Sequence, residues 1–171
     1  SSPVVGKMLP RKNAQLVAGL LICAALTGLS SSAKQFHIPS FGANWYKANE
    51  FCNSMGLQLV TIRSRAENDE VAAYIRSTDK FNDVGSTFWL GGTDLAEQNT
   101  WTWTPTGALV TFTSWSPGEP NNANGNEHCI QLVYIPKYGQ RWTWNDNNCQ
   151  TLSLYFVCET RPGCCQSSHS Q

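Results

Sequence analysis

The chain is 171 residues long, enough for one domain with its own core and too short for two comfortable ones. Twelve basic and twelve acidic residues cancel to a formal charge of zero without long like-charged blocks, which argues against a polyanion such as nucleic acid as partner. Seven tryptophans and thirteen glycines in a chain only 14% charged point to a loop-rich, aromatic fold rather than a helical bundle.

Residues 8–33 read MLPRKNAQLVAGLLICAALTGLSSSA. Arg11 and Lys12 precede an apolar run from Leu16 to Leu29, and Ser31 and Ala33 supply small residues before a plausible cut. These are the three parts of a secretory signal peptide, so a secreted, extracellular protein is expected. A membrane span needs about 20 apolar residues, and this run is shorter and lacks a basic stop-transfer flank. The expected division is residues 1–33 as upstream residues and leader, 34–160 as the domain, and 161–171 as a cysteine-containing tail. Residues 1–7 suggest no role.

With Cys23 removed in the leader, the remaining cysteines are Cys52, Cys129, Cys149, Cys158, Cys164 and Cys165. An even set in an exported chain points to disulfides. Zinc is disfavoured, because the only close pair is Cys164 with Cys165 and no CxxC occurs.

The stretch KQFHIPSFGANW has an alternating flavour. Asn44 can cap a helix through WYKANEFCNSM that Gly56 ends, with Trp45, Ala48, Cys52 and Met55 on one face. LQLVTI reads as a strand. Ser64 and Glu67 form a capping box opening a second helix, RAENDEVAAYIRS. From Phe88 the pattern changes to short strands: FWLGGTD, TWTWTPTG, ALVTFTSW, HCIQLVYI, RWTWND and YFVCET. The tail RPGCCQSSHSQ reads as unstructured.

Between these strands lies SPGEPNNANGNE, a long polar loop of the kind that is either functional or disordered in a compact domain. Its carboxylate and amide oxygens are hard ligands suited to calcium, which takes six to eight oxygens at flexible geometry. Glu119, Asn121 and Glu127 can supply three ligands, and Asn145 and Asp146 two more if the two segments meet. Two vicinal sugar hydroxyls could then complete the sphere, giving protons to carboxylates and accepting from asparagine amides. Asn, Gly and Pro also make ordinary turns, so the loop taken alone reads more readily as plain surface. Glu119 and Glu127 could in principle be a glycosidase pair, but a solvated loop with no hydrophobic wall would not raise a pKa, which disfavours an enzyme. HExxH and GxSxG are both missing.

Taken in order, FCNSMGLQLVTIRSRAEN, FWLGGTD, WTW, EPN, NEHC, WND, NNC and FVCE resemble the C-type lectin carbohydrate-recognition domain, over roughly residues 36–160. The resemblance implies an α+β fold in which two helices flank antiparallel sheets and a long loop carries Ca2+. It implies disulfides Cys52 to Cys158 and Cys129 to Cys149, and makes Trp89 and Leu90 structural. It maps the principal calcium and sugar site onto Glu119, Asn121, Glu127, Asn145 and Asp146, with Pro120 as a cis proline orienting the loop. Glu-Pro-Asn goes in that family with mannose-type sugars and Gln-Pro-Asp with galactose, so glycans of mannose type are the expected partners, with galactose as the other class. An auxiliary calcium site is poorly matched: Asp94 fits, but Gln98, Asn122 and His128 replace acids and Glu97 is one place off.

Small secreted invertebrate lectins that recognise microbial sugars in innate immunity are the nearest analogy for the role. Cys164 and Cys165 could link two chains into a disulfide-bonded homodimer, raising avidity. The rival reading is a protein-binding or ice-binding module that keeps the fold without binding sugar.

Overall fold

The computed structural model describes residues 34–162. The leader read in residues 8–33 and the tail cysteines Cys164 and Cys165 lie outside the described residues. The fold is α+β, with two helices and mainly antiparallel sheets.

Helix α1 (Trp45–Ser54) starts where the Asn44 side chain accepts the Lys47 amide at 2.9 Å. It buries Trp45, Ala48 and Cys52. The helix stops sooner than its sequence suggests: Met55 is the cap, is 57% exposed, and leaves the buried face. Gly56, at φ 72°, then turns the chain out of the helix, a conformation a Cβ would resist. Helix α2 (Arg65–Arg76) opens on Ser64, whose hydroxyl accepts the Glu67 amide at 3.2 Å. The returning arm of the capping box lands one residue earlier than expected, with Glu67 Oε2 accepting from the Arg63 amide at 3.0 Å.

A small antiparallel sheet joins β1 (Phe36–His37), β9 (Cys158–Thr160) and β2 (Leu57–Leu59) in the order β1-β9-β2. The larger sheet runs β5 (Ala108–Leu109), β4 (Thr102–Trp103), β3 (Ser86–Thr93), β6 (Cys129–Ile135) and β7 (Gln140–Asn147). A short β8 (Tyr155–Phe156) pairs parallel with β3.

Two expected strands are cut at the junction of these sheets. LQLVTI keeps its burial beyond Leu59, but the Val60 amide donates to Val157 O and Val60 O accepts from Gly91, both at 2.9 Å, so the segment serves both sheets. YFVCET divides at Val157 for the same reason, with β8 in one sheet and β9 in the other. ALVTFTSW and TWTWTPTG each contribute only two strand residues. After Leu109 the chain leaves the sheet edge and crosses to β7, where Trp115 bridges Trp144.

The core lies on these sheets. Phe88, Leu90, Trp103, Ile130, Leu132, Trp144 and Val157 pack with Val71, Ala72 and Ile75 of α2, while Trp45, Ala48, Leu59, Trp89 and Phe156 pack under α1. Trp89 and Leu90 are fully buried. Their region is pinned by indole donors: Trp45 Nε1 to Leu90 O at 2.8 Å and Trp89 Nε1 to Ala43 O at 3.0 Å. Cys52–Cys158 ties α1 to β9 across 106 residues, and Cys129–Cys149 ties β6 to the segment after β7. A closed loop of the first length stabilises by about 4–5 kcal/mol in the chain-entropy account.

Gly91 sits where β3 touches the β2 exit, and a Cβ there would lie 2.9 Å from Leu59 O. Backbone cannot yield as a side-chain tip can. Gly91→Ala should therefore lower the unfolding free energy by about 1–3 kcal/mol in urea titration. Gly85→Ala, whose nearest neighbour is Ile135 Cγ1 at 3.8 Å, should cost much less.

Candidate metal and ligand site

The long loop between Trp115 and Cys129 is held against β7 at its base. The Trp144 amide donates to Ser114 O and the Ser116 amide to Trp144 O, both at 2.7 Å, immediately before Asn145 and Asp146 in the strand. At the other end the His128 amide donates to Asn147 O at 3.1 Å, and the Cys129–Cys149 disulfide follows directly after His128 and two residues after Asn147. A loop too polar for any core is thus fixed by backbone bonds at its two feet.

Strand alternation decides what β7 offers to it. Trp142, Trp144 and Asp146 are buried, while Asn145 and Asn147 are partly exposed. Asp146 is fully buried, and its carboxylate reaches the loop: Oδ1 accepts from the Asn121 amide at 3.1 Å and Oδ2 from the Asn122 amide at 2.7 Å. Glu127 Oε2 accepts the Ala123 amide at 3.1 Å. Asn145 Nδ2 donates to the Asp146 carbonyl, leaving its Oδ1 as the ligand-type atom. The Glu119–Pro120 peptide bond is cis. The structure brings Asp146 of β7 to the Asn121 and Asn122 amides of the loop, with the Glu119 and Glu127 carboxylates close enough to feel its charge, while the Asn145 side chain is bonded only to its strand neighbour among the described residues.

The electrostatics of this arrangement are unfavourable on their own. Burial pushes the Glu119 carboxyl above its ordinary value, its hydrogen bond with Asp146 and the charges of Asp146 and Glu127 push the same way, and the Asn121 amide opposes them. Burial likewise raises Glu127 against the Ala123 amide, with the charge of Asp146 adding. The sequence reading found nothing to raise either pKa; partial burial raises both, although both side chains remain partly exposed. Glu119 Oε2 is buried with no hydrogen-bond partner among the described residues. A buried acceptor left without a donor, with the charges of Asp146 and Glu127 acting on it, is one that a cation would satisfy. No three His, Cys, Asp or Glu side chains among the described residues form a metal cage by themselves. The asparagine oxygens are needed to complete a sphere, and such an all-oxygen, mixed-charge set fits calcium better than zinc.

Two features were not legible in the sequence. Asn122 holds the loop: its backbone is left-handed at φ 45°, its amide binds Asp146, and its Oδ1 accepts from the Glu127 amide at 2.9 Å. Asn124 is also left-handed, at φ 58°. The signal was the run of asparagines, the non-glycine residues most tolerant of that region. The second feature is the Asp94–His128 pair. Asp94 Oδ1 meets His128 Nδ1 at 2.8 Å and Oδ2 accepts the Asn99 amide at 2.8 Å, so both oxygens of the one matched auxiliary ligand are engaged. A cavity of about 490 Å³ lined by Arg63, Trp103, Leu109 and Pro162 contains none of the site residues.

A two-helix, two-sheet module carrying a long oxygen-rich loop against a sheet strand is the architecture of a ligand-binding domain, and the comparisons agree. The Lectin C-type domain family matches residues 42–160. "C-type lectin mosGCTL-7" of Aedes aegypti is 39% identical over 152 residues, covering 89% of this chain and 98% of the relative. "C-type lectin mannose-binding isoform" of Oxyuranus scutellatus is 34% identical over 120 residues, covering 69% and 71% of the two chains. Among solved structures, the mouse scavenger receptor C-type lectin carbohydrate-recognition domain superposes with a TM-score of 0.61 at 26% identity, covering 74% of this chain and 87% of that one. The chain belongs to the C-type lectin family. That family binds rather than catalyses, so the paired glutamates are not a hydrolytic acid and base.

An acid whose pKa is raised by folding binds its proton more tightly in the folded state, so its ionised form destabilises the fold above that raised value and the penalty vanishes below the ordinary value near 4.5. In chelator at pH 7, Glu119→Gln should therefore melt higher than the parent protein. The gap should close as pH falls to about 4, where the parent glutamate is itself neutral. An unchanged or lower melting temperature at pH 7 would show that the carboxylate cluster is not repulsive.

Proposed function

We propose that this chain is a secreted lectin that binds glycans in a calcium-dependent manner through Glu119, Asn121, Glu127, Asn145 and Asp146. The observation that supports this reading most is the orphaned Glu119 oxygen in the loop that closes on buried Asp146. Calcium held there would supply positive charge to attract two vicinal sugar hydroxyls. Glu119 and Glu127 would accept hydrogen bonds from the hydroxyls, the Asn121 and Asn145 amides would donate to the hydroxyl oxygens, and buried Asp146 holds the loop in place. Alternating acids and amides match hydroxyls that both donate and accept.

The Glu119-Pro120-Asn121 motif favours mannose-type sugars over galactose, and the name of the mannose-binding Oxyuranus relative is in keeping with that. The leader-like residues 8–33 favour export, and among the described residues no helix is long and apolar enough to cross a membrane. A role in recognising microbial surface glycans in innate immunity completes the proposal. Single-site sugar binding is weak, and linkage of two copies through Cys164 and Cys165 would supply avidity.

The direct test is retention on immobilised mannose and galactose, with calcium and then with chelator. Mannose retention released by chelator supports the whole reading, chelator-sensitive retention on galactose alone overturns the sugar class, and retention insensitive to chelator overturns the ion. Asp146→Ala should abolish retention and calcium uptake together. Acidification should do the same reversibly, because the ligands must be ionised to hold calcium. Since Glu119 and Glu127 are raised before any ion binds, release should begin at a higher pH than ordinary carboxylates would give.

A further inference from the structure

The ligand strand carries an irregularity that no residue of the site explains. Along β6 and β7, Val133 pairs with Thr143 but Tyr134 pairs with Arg141, so Trp142 is an extra residue without a partner across the ladder. Its φ is +60°, the left-handed region that glycine enters freely and a bulky side chain enters only under strain. Trp142 is nevertheless 95% buried, since only 5% of it is exposed, and its Nε1 has no partner among the described residues.

Two sets of contacts hold this unfavourable residue in place. The indole is packed against Tyr134 and Phe81, with ring centroids at 4.9 and 5.6 Å, and the Arg76 guanidinium lies 4.8 Å over its face. Fully buried Asn68 of α2 reaches the backbone: Nδ2 donates to the Trp142 carbonyl at 3.0 Å, while Oδ1 accepts Trp144 Nε1 at 2.8 Å. One amide thus spans the bulged residue and the next inward residue, using both its functions.

A one-residue bulge shifts the pairing of everything after it by one, so that Asn145 and Asp146 face Gln131 and Ile130 of β6 rather than Ile130 and Cys129. On the far side of Trp142 the inward positions are Trp144 and Asp146 and the outward ones Thr143 and Asn145. We infer that Trp142 and Asn68 are positioning residues for the ion site: the left-handed bulge, locked by the Asn68 amide, sets the register in which Asn145 and Asp146 pair with β6 and so where along the sheet they meet the loop. This rests on the calcium reading above.

The test separates backbone from side chain. Trp142→Gly and Trp142→Val both delete the indole, but glycine keeps the left-handed turn at no steric cost and β-branched valine resists it. With correct positioning by the bulge, Trp142→Val should bind calcium about tenfold or more weakly than Trp142→Gly, by calorimetric titration. In chelator, hydrogen exchange of the β6–β7 amides near Asp146 should be faster in the valine variant. Equal calcium affinity and equal exchange in the two variants would overturn the inference while leaving the calcium site intact. Should the valine variant not fold, Asn68→Leu decides: calcium affinity weakened about tenfold supports the positioning role, and unchanged affinity overturns it. A parent protein that takes up no calcium overturns the site itself and this inference with it.

Discussion

Asp146 accepts two successive backbone amides, from Asn121 and Asn122, and the loop between Trp115 and Cys129 is folded by that pair of bonds. The carboxylate is fully buried, so its charge is answered by amide dipoles on one side and opposed by Glu119 and Glu127 on the other. The rest of the architecture serves to deliver this one group. Trp144 beneath it is locked in the core, Ser114 and Ser116 clasp the strand on which it sits, and the Cys129–Cys149 bridge closes the sheet beside it. A cation proposed for this place would find the loop already folded onto Asp146 and the local charge negative.

What the sequence made legible was local. Asn44 and Ser64 marked the helix starts because a cap is formed by residues within one turn of each other. The strand ends were not legible, since Val60 and Val157 stop being ordinary strand residues only because two sheets meet at them. Met55 matched the helical period of Trp45, Ala48 and Cys52 but fell in the cap, where periodicity no longer governs burial. The five site residues could be singled out as oxygen ligands by type, yet their grouping into one site rested on the family resemblance, because loop and strand lie 18 or more residues apart in sequence. The raised carboxylates and the left-handed Trp142 carried no sequence signal: RWTW alternates as a regular strand would, and only the pairing with β6 reveals the extra residue.

Helix α2 is more than a cover for the sheet. Its Asn68 couples the helix to two consecutive inward positions of the strand that bears the ligands, and its Arg76 closes over the strained indole. On the opposite flank His128, next to a proposed ligand in sequence, is tied by Asp94 to the loop that follows β3. The loop is therefore braced from both sides by polar contacts rather than by packing alone, which suits a region with few apolar residues.

The ends of the domain meet. The Thr160 amide donates to Gln35 O, β1 lies antiparallel against β9, and Cys52–Cys158 crosses close to both. A pull on the two ends would peel β1 from β9 one pair at a time and then come up against the covalent bridge. Every residue from Glu119 to Asp146 lies inside the ring closed by that bridge. Tension passed through a domain anchored at both ends is carried by sulfur, and the ligand loop is mechanically shielded from it.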